Sequence, residues 1–389
     1  MRIAAVIAEY NPFHNGHAYH LCRTRKAGAD AVVAIMSGNF VQRGEPAAFS
    51  KWARAQAAVR CGVDLVVELP VYWATGRAQR FADGAVSIAD RLGCFDLLSF
   101  GSECGDTARI LHAAQTVASV QIPKTMLKAG MTFAAAREAA VRAADASDAE
   151  LLRTPNDTLA LEYALAAMRR NASFDLLAVQ RIGTHDGVPV GQIASASFVR
   201  DSLTEENVQT YCPPEAARVL LSELTGARAP ADLQRLERML LARLRLSSAR
   251  EIAALPDVSE GLENRILSAA MQSDSFDALC AAVKTKRYTL SRVRRILLSF
   301  LLGMRECDVP PEVPYARILA IGERGEEVLR RIKKTAQLPI LTKRTNVSSL
   351  GANAERVFRA ECAASETFAA LLPRMGKGGA EWTTPIFKM

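Results

Sequence analysis

The sequence is short of the features that mark secreted, membrane-spanning and zinc-ribbon proteins. Its eight cysteines are scattered over 389 residues without a Cys-x-x-Cys pair, which argues against a disulfide framework and a zinc ribbon. The most apolar later stretch, residues 296–304, is less than half the length of a membrane span. The opening apolar run ends at Glu9 and lacks the small-residue cleavage site of a signal peptide. We therefore expect a cytoplasmic protein with no membrane partner.

The overall composition is that of a folded, mildly basic protein. Hydrophobic residues make up 49% and charged residues 23%, a balance that excludes the disordered and fibrous classes. The 49 Lys and Arg residues exceed the 41 Asp and Glu residues, which gives a formal net charge of +8. A basic excess favours a polyanionic partner when the charge is gathered on one surface. The length suits two or three domains, since a domain usually takes roughly 100–200 residues.

Short apolar runs alternate with helical patterns in the N-terminal half of the chain. The predicted strands are residues 3–8, 31–36, 65–68, 97–100 and 176–179. The predicted helices between them are residues 17–27, 50–60, 79–91 and 107–118. Strands that alternate with helices indicate βαβ units with right-handed crossovers, and so a parallel sheet of the α/β class. Another helix is predicted to start at Thr154-Pro155-Asn156-Asp157, which has the form of a helix N-terminus.

Changes of pattern divide the chain into three predicted domains. Residues 1–202 form the α/β domain. Residues 203–310 show helical periodicity without convincing strands and are predicted to form a helical domain. Prolines at 310, 311 and 314 lead into residues 311–389, which are predicted as a small mixed α/β domain.

The strongest chemical signal lies directly after the first strand, in residues 9–17. Pro12 favours an extended turn off the strand, and Gly16 lets the backbone approach a ligand closely. The helix that follows presents unpaired backbone N–H groups and the positive end of its dipole, which favour a phosphate. His14 and His17 are three residues apart, so both rings can reach the same group. We predict that both are catalytic and donate hydrogen bonds to a phosphate whose charge grows in the transition state.

Two other interpretations of these histidines stay open at the level of the residues. One is a structural pair that satisfies a turn. The other is a metal site formed by His14, His17 and His20, although no carboxylate or cysteine is placed to complete a zinc shell. The position after a first strand favours the phosphate site, and we predict no metal ligands.

Residues 14–17 resemble the His-x-Gly-His signature of the adenylyl-transferring superfamily, which includes class I aminoacyl-tRNA synthetases and nucleotidylyltransferases. That superfamily carries a second signature, Ile-Ser-Ser-Thr-x-x-Arg or a Lys-Met-Ser-Lys-Ser loop, opposite the first. The matching segment here, residues 194–200, keeps Ser195, a hydroxyl at Ser197 and Arg200, but has alanine at two other positions. The resemblance implies that Ser195 and Arg200 contact the polyphosphate of ATP.

Longer phrases resemble one family in particular, the bacterial tRNA(Met) cytidine acetate ligases. The phrases are residues 8–17, 36–46, 100–103, 155–157, 181–183 and 338–340. The resemblance implies a Rossmann-like nucleotidyltransferase domain that activates acetate with ATP to acetyl-adenylate and pyrophosphate. It further implies transfer of the acetyl group to the N4 amine of the wobble cytidine in elongator tRNA(Met). ATP is then a co-substrate, acetate and this tRNA are partners, and Mg²⁺ is expected to accompany ATP, held by phosphates and waters.

By the same resemblance, the ATP-binding residues come from residues 7–20 and from a few later positions. They are Ile7, Asn11, Phe13, His14, Gly16, His17, His20, Gly101, Asn156, Arg181 and Ile182, to which the second signature adds Ser195 and Arg200. Gly101 follows a predicted strand, which is where α/β sheets bind ligands. Arg43 either grips acetate or tRNA or caps a loop, and Glu9 is a candidate for orienting a histidine or a metal-bound water.

The basic excess has a predicted location in the C-terminal half of the chain. Residues 284–295 carry six basic residues and no acidic one: Lys284, Lys286, Arg287, Arg292, Arg294 and Arg295. We predict that they bind tRNA, with Tyr288 stacking on a base. A second basic cluster comprises Arg330, Arg331, Lys333, Lys334, Lys343 and Arg344. The competing interpretation of both clusters is a solvated helix face.

Two alternative functions remain at this point. One is a nucleotidylyltransferase that moves AMP onto a small phosphorylated metabolite, which leaves the basic C-terminal half unexplained. The other is a non-catalytic RNA-binding protein with a degenerate nucleotide pocket, against which His14, Gly16, His17 and Arg200 argue. The sequence indicates neither the oligomeric state nor the basis of tRNA selectivity.

Overall fold

One sheet of eight strands forms the centre of the computed structural model, which describes residues 1–183, 188–259, 261–342 and 347–389. A separate two-stranded hairpin lies beside it. The strands are β1 (Ile3–Ala8), β2 (Ala31–Ser37), β3 (Phe40–Val41), β4 (Glu45–Pro46), β5 (Leu65–Leu69), β6 (Leu97–Ser102), β7 (Asp175–Gln180), β8 (Ala316–Ile321), β9 (Ile340–Leu341) and β10 (Phe387–Lys388). β3 and β4 form the hairpin.

The order of the strands places a ligand-binding edge between β1 and β6. Strands β5, β2, β1, β6 and β7 lie side by side in that order and are parallel. The chain moves outward from β1 to β2 and β5 on one side, then crosses to β6 and β7 on the other. Ligands bind at such a reversal, outside the carboxyl ends of the strands. The parallel α/β fold predicted from the sequence is confirmed.

The predicted strands are confirmed because their apolar runs are buried on both faces. Ile3 and Ala5 belong to one hydrophobic core, while Ala4 and Val6 belong to a second core on the opposite face. A strand that is covered on both faces has a continuous run of apolar residues in its sequence. The bounds of β1 match the prediction, and β2, β5, β6 and β7 extend the predicted runs by one or two residues.

Helices cover both faces of the sheet. Those before residue 202 are α1 (Asn15–Lys26), α2 (Lys51–Arg60), α3 (Val71–Ala74), α4 (Ala78–Leu92), α5 (Thr107–Ser119), α6 (Lys124–Lys128), α7 (Phe133–Ala144), α8 (Ala146–Glu150), α9 (Pro155–Arg170) and α10 (Ala196–Asp201). Helix α9 begins at Pro155, with Thr154 as its N-cap, as the sequence predicts. Helices α4, α5 and α9 share the first core, and α1 and α2 share the second.

The middle of the chain is helical, but its helices divide between two cores. They are α11 (Glu205–Tyr211), α12 (Pro214–Thr225), α13 (Glu237–Arg245), α14 (Ala249–Ala253), α15 (Leu262–Gln272), α16 (Phe276–Val283) and α17 (Leu290–Leu301). Helices α11 and α12 pack on the second core of the sheet. Helices α13 to α17 enclose a third core of their own, and we call residues 237–301 the helical unit. None of the described helices has the length and apolar character needed to cross a bilayer.

The C-terminal segment joins the central sheet. It contains α18 (Gly325–Thr335), α19 (Ala352–Ala370), α20 (Ala380–Thr383) and strands β8 to β10. Strand β8 is buried along its length and pairs antiparallel with β5, while β9 and β10 pair with β8. The predicted division at residue 311 therefore differs from the structure: the segment completes the edge left open at β5 instead of folding around a sheet of its own. An apolar strand pattern does not reveal which sheet the strand joins.

A buried ionic network fixes this segment to the α/β domain. The ammonium of Lys51 lies between the carboxylates of Glu68 and Glu381, with Nζ–O distances of 2.5 Å to each, and 3.4 Å from Glu361. Arg317 of β8 pairs with Glu381 and with Glu68. All five side chains are at most 5% exposed. Because a buried charge is costly without its partners, each segment holds the other in place.

Candidate active site

A cavity of about 750 Å³ opens at the carboxyl ends of β1 and β6. Every residue predicted to bind ATP lines it except Phe13: Ile7, Asn11, His14, Gly16, His17, His20, Gly101, Asn156, Arg181, Ile182, Ser195 and Arg200. Phe13 is fully buried, and its ring packs against Tyr10 and His17 beneath the cavity. The structure thus gathers residues from positions 7 to 200 around one space at the switch point of the sheet.

His14 and His17 are held in a fixed hydrogen-bonded arrangement at the start of α1. The backbone N–H of Gly16 donates to Nδ1 of His14 at 3.0 Å, and the N–H of His14 donates to Nδ1 of His17 at 3.2 Å. The two rings are stacked with centroids 3.8 Å apart. Since Nδ1 is an acceptor in both rings, the proton of each neutral imidazole lies on Nε2. Both histidines therefore present N–H donors to a ligand.

The environment keeps these imidazoles uncharged. Burial lowers the pKa of His14 to about 3, with further lowering by the nearby Arg181 and Arg200. Burial also holds the pKa of His17 well below its usual value, and His14 and Arg181 add to this effect. Neutral N–H donors stabilise charge as it develops on a phosphate without needing a change of protonation.

Gly16 is required by the ring of His14. A Cβ atom at position 16 would lie 2.8 Å from Cε1 of His14, which is closer than real Cβ contacts allow. Glycine is therefore needed at position 16 for close packing in the first turn of α1, and not because the backbone there has a positive φ angle. Any larger residue displaces the His14 ring from the cavity wall.

His20 is oriented differently from the other two histidines. Its Nε2 lies 2.8 Å from the hydroxyl of Ser99 on β6, and Ser99 lies 2.7 Å from the hydroxyl of Thr24. Thr24 donates its proton to the carbonyl of His20, so the full set of hydrogen bonds forms when Ser99 donates to Thr24 and accepts from Nε2. Nδ1 of His20 is then an acceptor. Burial, reinforced by Arg181, lowers the pKa of His20 to about 4.

Two arginines clamp the turn that carries the motif. Arg54 is fully buried and donates to the carbonyls of Glu9, Ser37 and Gly38, so it joins the ends of β1 and β2. Arg200 donates through Nη1 to the carbonyl of Asn11 at 2.7 Å. The sequence did not single out Arg54, because its partners at the ends of β1 and β2 lie 16 or more residues away.

Arg200 and Ser195 stand on the opposite wall of the cavity, as the second signature implies. Ser195 is the N-cap of α10 and accepts from the N–H of Phe198. Arg200 also donates through Nη2 to the hydroxyl of Ser197 at 3.2 Å. Ala194, where the chain departs from the signature, is buried. Arg200 keeps donors beyond these two contacts, since a guanidinium has five.

A third wall of the cavity is formed by Asn156, Arg181 and Gly101. The carboxylate of Glu103 accepts from Nδ2 of Asn156 at 2.6 Å and from the N–H of Asp157 at 2.8 Å. This contact fixes the amide of Asn156, whose Oδ1 lies 3.5 Å from Nη1 of Arg181. Glu103 thereby acts as the N-terminal anchor of α9 and sets which face of Asn156 meets a ligand. Glu103 belongs to residues 100–103, one of the segments that resemble the family, but no role was predicted for it from the sequence.

Glu9 follows β1 directly and is a carboxylate within a largely cationic cavity. Its Oε1 accepts from the N–H of Gln42 at 2.9 Å, and its Oε2 receives no hydrogen bond from the described residues. Burial raises the pKa of Glu9, opposed by the Gln42 bond and by the charges of Arg200, Arg54 and Arg43. The expectation that Glu9 orients a histidine finds no such contact within the described residues.

The β3–β4 hairpin connects this cavity to the helical unit. Glu45 of the hairpin pairs with Arg294 of α17. Gly44, at φ +76°, packs so closely on the backbone of Arg294 and Arg295 that a Cβ there would lie 2.4 Å from the nearest atom. Thr289, the N-cap of α17, lines the cavity. The helical unit is therefore docked at one side of the cavity mouth.

The basic stretch 284–295 is only partly free for a ligand. Arg294 is engaged with Glu45, and Arg295 is buried with its Nε 3.2 Å from Asp257. Arg292 donates to the carbonyl of Asp257. These three side chains serve packing within the protein, because partners distant in sequence reach them: carboxylates for Arg294 and Arg295, and a backbone carbonyl for Arg292. Lys284, Lys286 and Arg287 are exposed.

The prediction that Tyr288 stacks on a base is wrong. Its side chain is only 9% exposed and belongs to the core of the helical unit. Cations of Arg287 and Arg292 lie over its ring, 5.9 and 5.1 Å from the centroid. A tyrosine within a basic stretch can also anchor the loop by apolar packing, and Tyr288 does so.

The second basic cluster lies on α18. Lys333 and Lys334 are exposed in its last turn, where cations complement the helix dipole. Arg331 donates to the carbonyl of Met1 at 2.8 Å. Lys343 and Arg344 lie outside the described residues. The pattern is consistent with a solvated helix face.

Comparison with known proteins finds one family over the whole chain. Residues 1–380 match the model of the HIGH nucleotidyl transferase family. A protein of Thermoanaerobacter sp. (strain X514), named tRNA(Met) cytidine acetate ligase, is 37% identical over the full length of both chains. One of Acetivibrio thermocellus with the same name is 35% identical, again over both full lengths.

Two solved structures have the same fold over their full length. Thermotoga maritima TmcAL bound with alpha-thio ATP superposes with a TM-score of 0.92 at 30% identity, and both chains are covered completely. The apo form of the same protein gives a TM-score of 0.94 at 30% identity, with the same coverage. The similarity thus includes the helical unit and the C-terminal segment as well as the α/β domain.

Proposed function

This chain belongs to the tRNA(Met) cytidine acetate ligase family of HIGH nucleotidyl transferases, and from that membership and its cavity we propose how it works. It is an ATP-dependent ligase that activates acetate as acetyl-adenylate. It then transfers the acetyl group to the N4 amine of the wobble cytidine of elongator tRNA(Met). The observation that carries this proposal is the pair of neutral Nε2–H donors at the start of α1, in a cavity that also gathers the residues of the second signature.

The adenylation step needs position and charge stabilisation. An acetate oxygen attacks the α-phosphorus of ATP, and pyrophosphate leaves from the opposite side. Charge then grows on the oxygens that leave with pyrophosphate. His14 and His17 donate to these oxygens from the helix N-terminus, and Arg200 binds the outer phosphates from the facing wall. Reaction without a covalent enzyme intermediate fits this cavity, which offers positioned donors for an in-line displacement.

The nucleoside end of ATP lies toward the third wall in this proposal. Gly101 and Ile182 offer backbone and an apolar surface, and Asn156 and Arg181 offer polar contacts. Arg181 has a buried Nε without a partner among the described residues, and a bound nucleotide would satisfy it. The ATP analogue bound to the Thermotoga maritima relative supports an ATP site in this fold.

We expect Mg²⁺ to enter as the partner of ATP. Mg²⁺ bound to nucleotides keeps several waters and takes few protein ligands. The cationic lining made by Arg43, Arg181 and Arg200 suits the phosphates more than the metal.

The tRNA is proposed to approach on the side of the helical unit. Exposed Lys284, Lys286 and Arg287 lie in the loop before α17. Thr289, the N-cap of that helix, lines the cavity. Phosphate contacts from such side chains position a nucleic acid without reading its sequence. The free state of all eight cysteines and a tRNA substrate both support the cytoplasm as the place of this reaction.

The test combines the purified protein with ATP, acetate and an elongator tRNA(Met) transcript. Pyrophosphate release is expected from ATP and acetate, and N4-acetylcytidine, measured by mass spectrometry after nuclease digestion, only when the tRNA is present as well. A transcript with uridine at the wobble position is the matched control. AMP attached to a phosphorylated metabolite would indicate the nucleotidylyltransferase instead, and absence of ATP turnover with any acid would indicate a binding protein.

A further inference from the structure

We propose that Glu9 is the base that removes the proton from the attacking amine during acetyl transfer. The inference rests on the proposed function and concerns its second step. It comes from the placement of Glu9 in a cavity whose other carboxylate, Glu45, is paired with Arg294, and whose remaining described charged lining residues are arginines.

The fold directs Glu9 into the cavity and holds it there. It follows the last residue of β1, and Arg54 fixes its carbonyl. The N–H of Gln42 fixes one carboxylate oxygen at 2.9 Å. The other oxygen receives no hydrogen bond from the described residues, although Glu9 lines the cavity. A carboxylate held by one oxygen presents the other to a ligand.

The chemistry of the reacting groups limits what this oxygen can contact. A carboxylate accepts hydrogen bonds and donates none. Acetate and the triphosphate are anions, which Glu9 would repel and which His14, His17 and Arg200 are placed to bind. The amine of the incoming cytidine is a neutral donor. It is also the group that must lose a proton for the reaction to finish.

The position of Glu9 agrees with the direction from which the amine arrives. Gln42, its partner, belongs to the turn of the β3–β4 hairpin. Glu45 of the same hairpin pairs with Arg294 of the helical unit. Glu9 thus lies beside the hairpin that joins the cavity to the helical unit, on the proposed tRNA side.

Burial makes this carboxylate a stronger base than an exposed glutamate, although nearby positive charges oppose the effect. Burial raises its pKa, while Arg200 of α10, Arg54 of α2 and Arg43 of the hairpin turn limit the rise. The hydroxyl of Tyr163 on α9 also lies close enough to interact with Glu9. A base is most effective when its pKa lies near the working pH.

The proposed step is balanced as follows. The N4 nitrogen attacks the carbonyl carbon of acetyl-adenylate and forms the N–C bond. One amine proton passes to Oε2 of Glu9, and the bond between the acetyl carbon and the phosphate oxygen breaks. AMP leaves as the anion, N4-acetylcytidine remains, and Glu9 returns its proton to water.

The two steps are tested separately with Glu9→Gln, which keeps the acceptor for Gln42 but cannot take a proton. Acetate-dependent exchange of pyrophosphate into ATP reports adenylation. Transfer is measured in a single turnover from supplied acetyl-adenylate to the tRNA(Met) transcript. We expect exchange near the wild-type rate and transfer slowed by about 100- to 10,000-fold. Glu9→Asp should recover part of the transfer rate.

The pH profile gives a readout that a structural role would not change. In the wild type, the transfer rate should fall as the pH decreases through the raised pKa of Glu9, because the protonated carboxyl is no base. This acid limb should be absent in Glu9→Gln. The control is Glu162→Gln, which removes a buried carboxylate of α9 outside the cavity and should leave both steps unchanged.

Three outcomes would overturn the inference. Transfer by Glu9→Gln at the wild-type rate would exclude a base role. Equal loss of exchange and transfer, with an unchanged melting temperature, would place Glu9 on ATP or its Mg²⁺. An unaltered acid limb would assign the proton to another group. If the wild type makes no acetylcytidine at all, the proposed function itself fails, which is a different result.

Discussion

Glu45 in the β3–β4 hairpin is paired with Arg294 in helix α17, across 249 residues of sequence. The pair joins the wall of the cavity to the unit proposed to receive tRNA. The side chains are 30% and 27% exposed, so the contact is accessible to solvent and its contribution to stability is small. The pair matters because it fixes the position of the helical unit relative to the cavity wall.

Breaking this pair should affect transfer more than adenylation. We expect Arg294→Gln to lower acetylation of tRNA at saturating ATP while acetate-dependent pyrophosphate exchange continues. The coupling energy with Glu45→Gln in a double-mutant cycle of unfolding should be about 0.5–1 kcal/mol. Arg250→Gln, an exposed change in the same unit, serves as the control. Exchange and transfer falling together would show that the hairpin acts on ATP.

His17→Ala should remove adenylation without removing tRNA affinity. Loss of one positioned donor to a developing charge costs about 100- to 1,000-fold in rate. Because burial lowers the pKa of both motif histidines, to about 3 for His14 and well below 6.5 for His17, they stay neutral above about pH 6. Pyrophosphate exchange should therefore show no histidine titration between about pH 6 and about pH 9. An acid limb near pH 6.5 that disappears in His17→Ala would contradict the assignment.

Glu103 and Asn156 should act as one unit in binding ATP. Removing the carboxylate frees the amide of Asn156 and leaves the N–H of Asp157 unsatisfied, at about 1–3 kcal/mol. We expect Glu103→Ala and Asn156→Ala each to raise the KM for ATP by about 5- to 100-fold. The double variant should be no worse than the stronger single one. Additive effects, measured by steady-state kinetics, would show that the two residues act independently.

The exposed cations before α17 should carry part of the tRNA affinity. The triple change Lys284→Ala, Lys286→Ala and Arg287→Ala is expected to weaken binding and to reduce the slope of log K against log salt. Each lost phosphate contact reduces that slope by about 0.7–0.9. Filter binding at several salt concentrations measures both. Lys333→Ala with Lys334→Ala on α18 is the control, and an equal effect there would relocate the RNA surface.

Lys51→Met should destabilise the protein strongly. The change leaves Glu68, Glu361 and Glu381 buried with Arg317 as their remaining cation in the network. Breaking a buried ion pair by removing one partner costs about 3–5 kcal/mol. Urea unfolding measures the loss, and Lys334→Met, on an exposed side chain, should change little. A loss no larger than that of the control would mean that the network adds nothing to stability.

Sequence patterns predicted those parts of the molecule that depend on local chemistry. Strand β1 has its predicted bounds because six apolar residues in a row can be buried only between two covered faces. That His14, Gly16 and His17 lie together was predictable because they fall within four residues, and all three line the cavity. Pairings across long distances were not predictable: the partner of Arg294 lies in a hairpin near the N-terminus, and that of Asn156 lies 53 residues away. Charge runs in sequence do not tell which side chains find an internal partner.

The central sheet cannot be completed while the chain is still being made. Strands β1 to β7 leave the ribosome first, but the edge of β5 and the charges of Lys51 and Glu68 wait for β8, α19 and α20, whose residues begin at position 316. Until then, one strand edge is open and the Lys51–Glu68 pair lacks Arg317, Glu361 and Glu381. A product truncated before β8 would expose that edge to other chains and remain prone to aggregation. Residues from position 316 onward thus complete the central sheet only after the residues that line the cavity have been made.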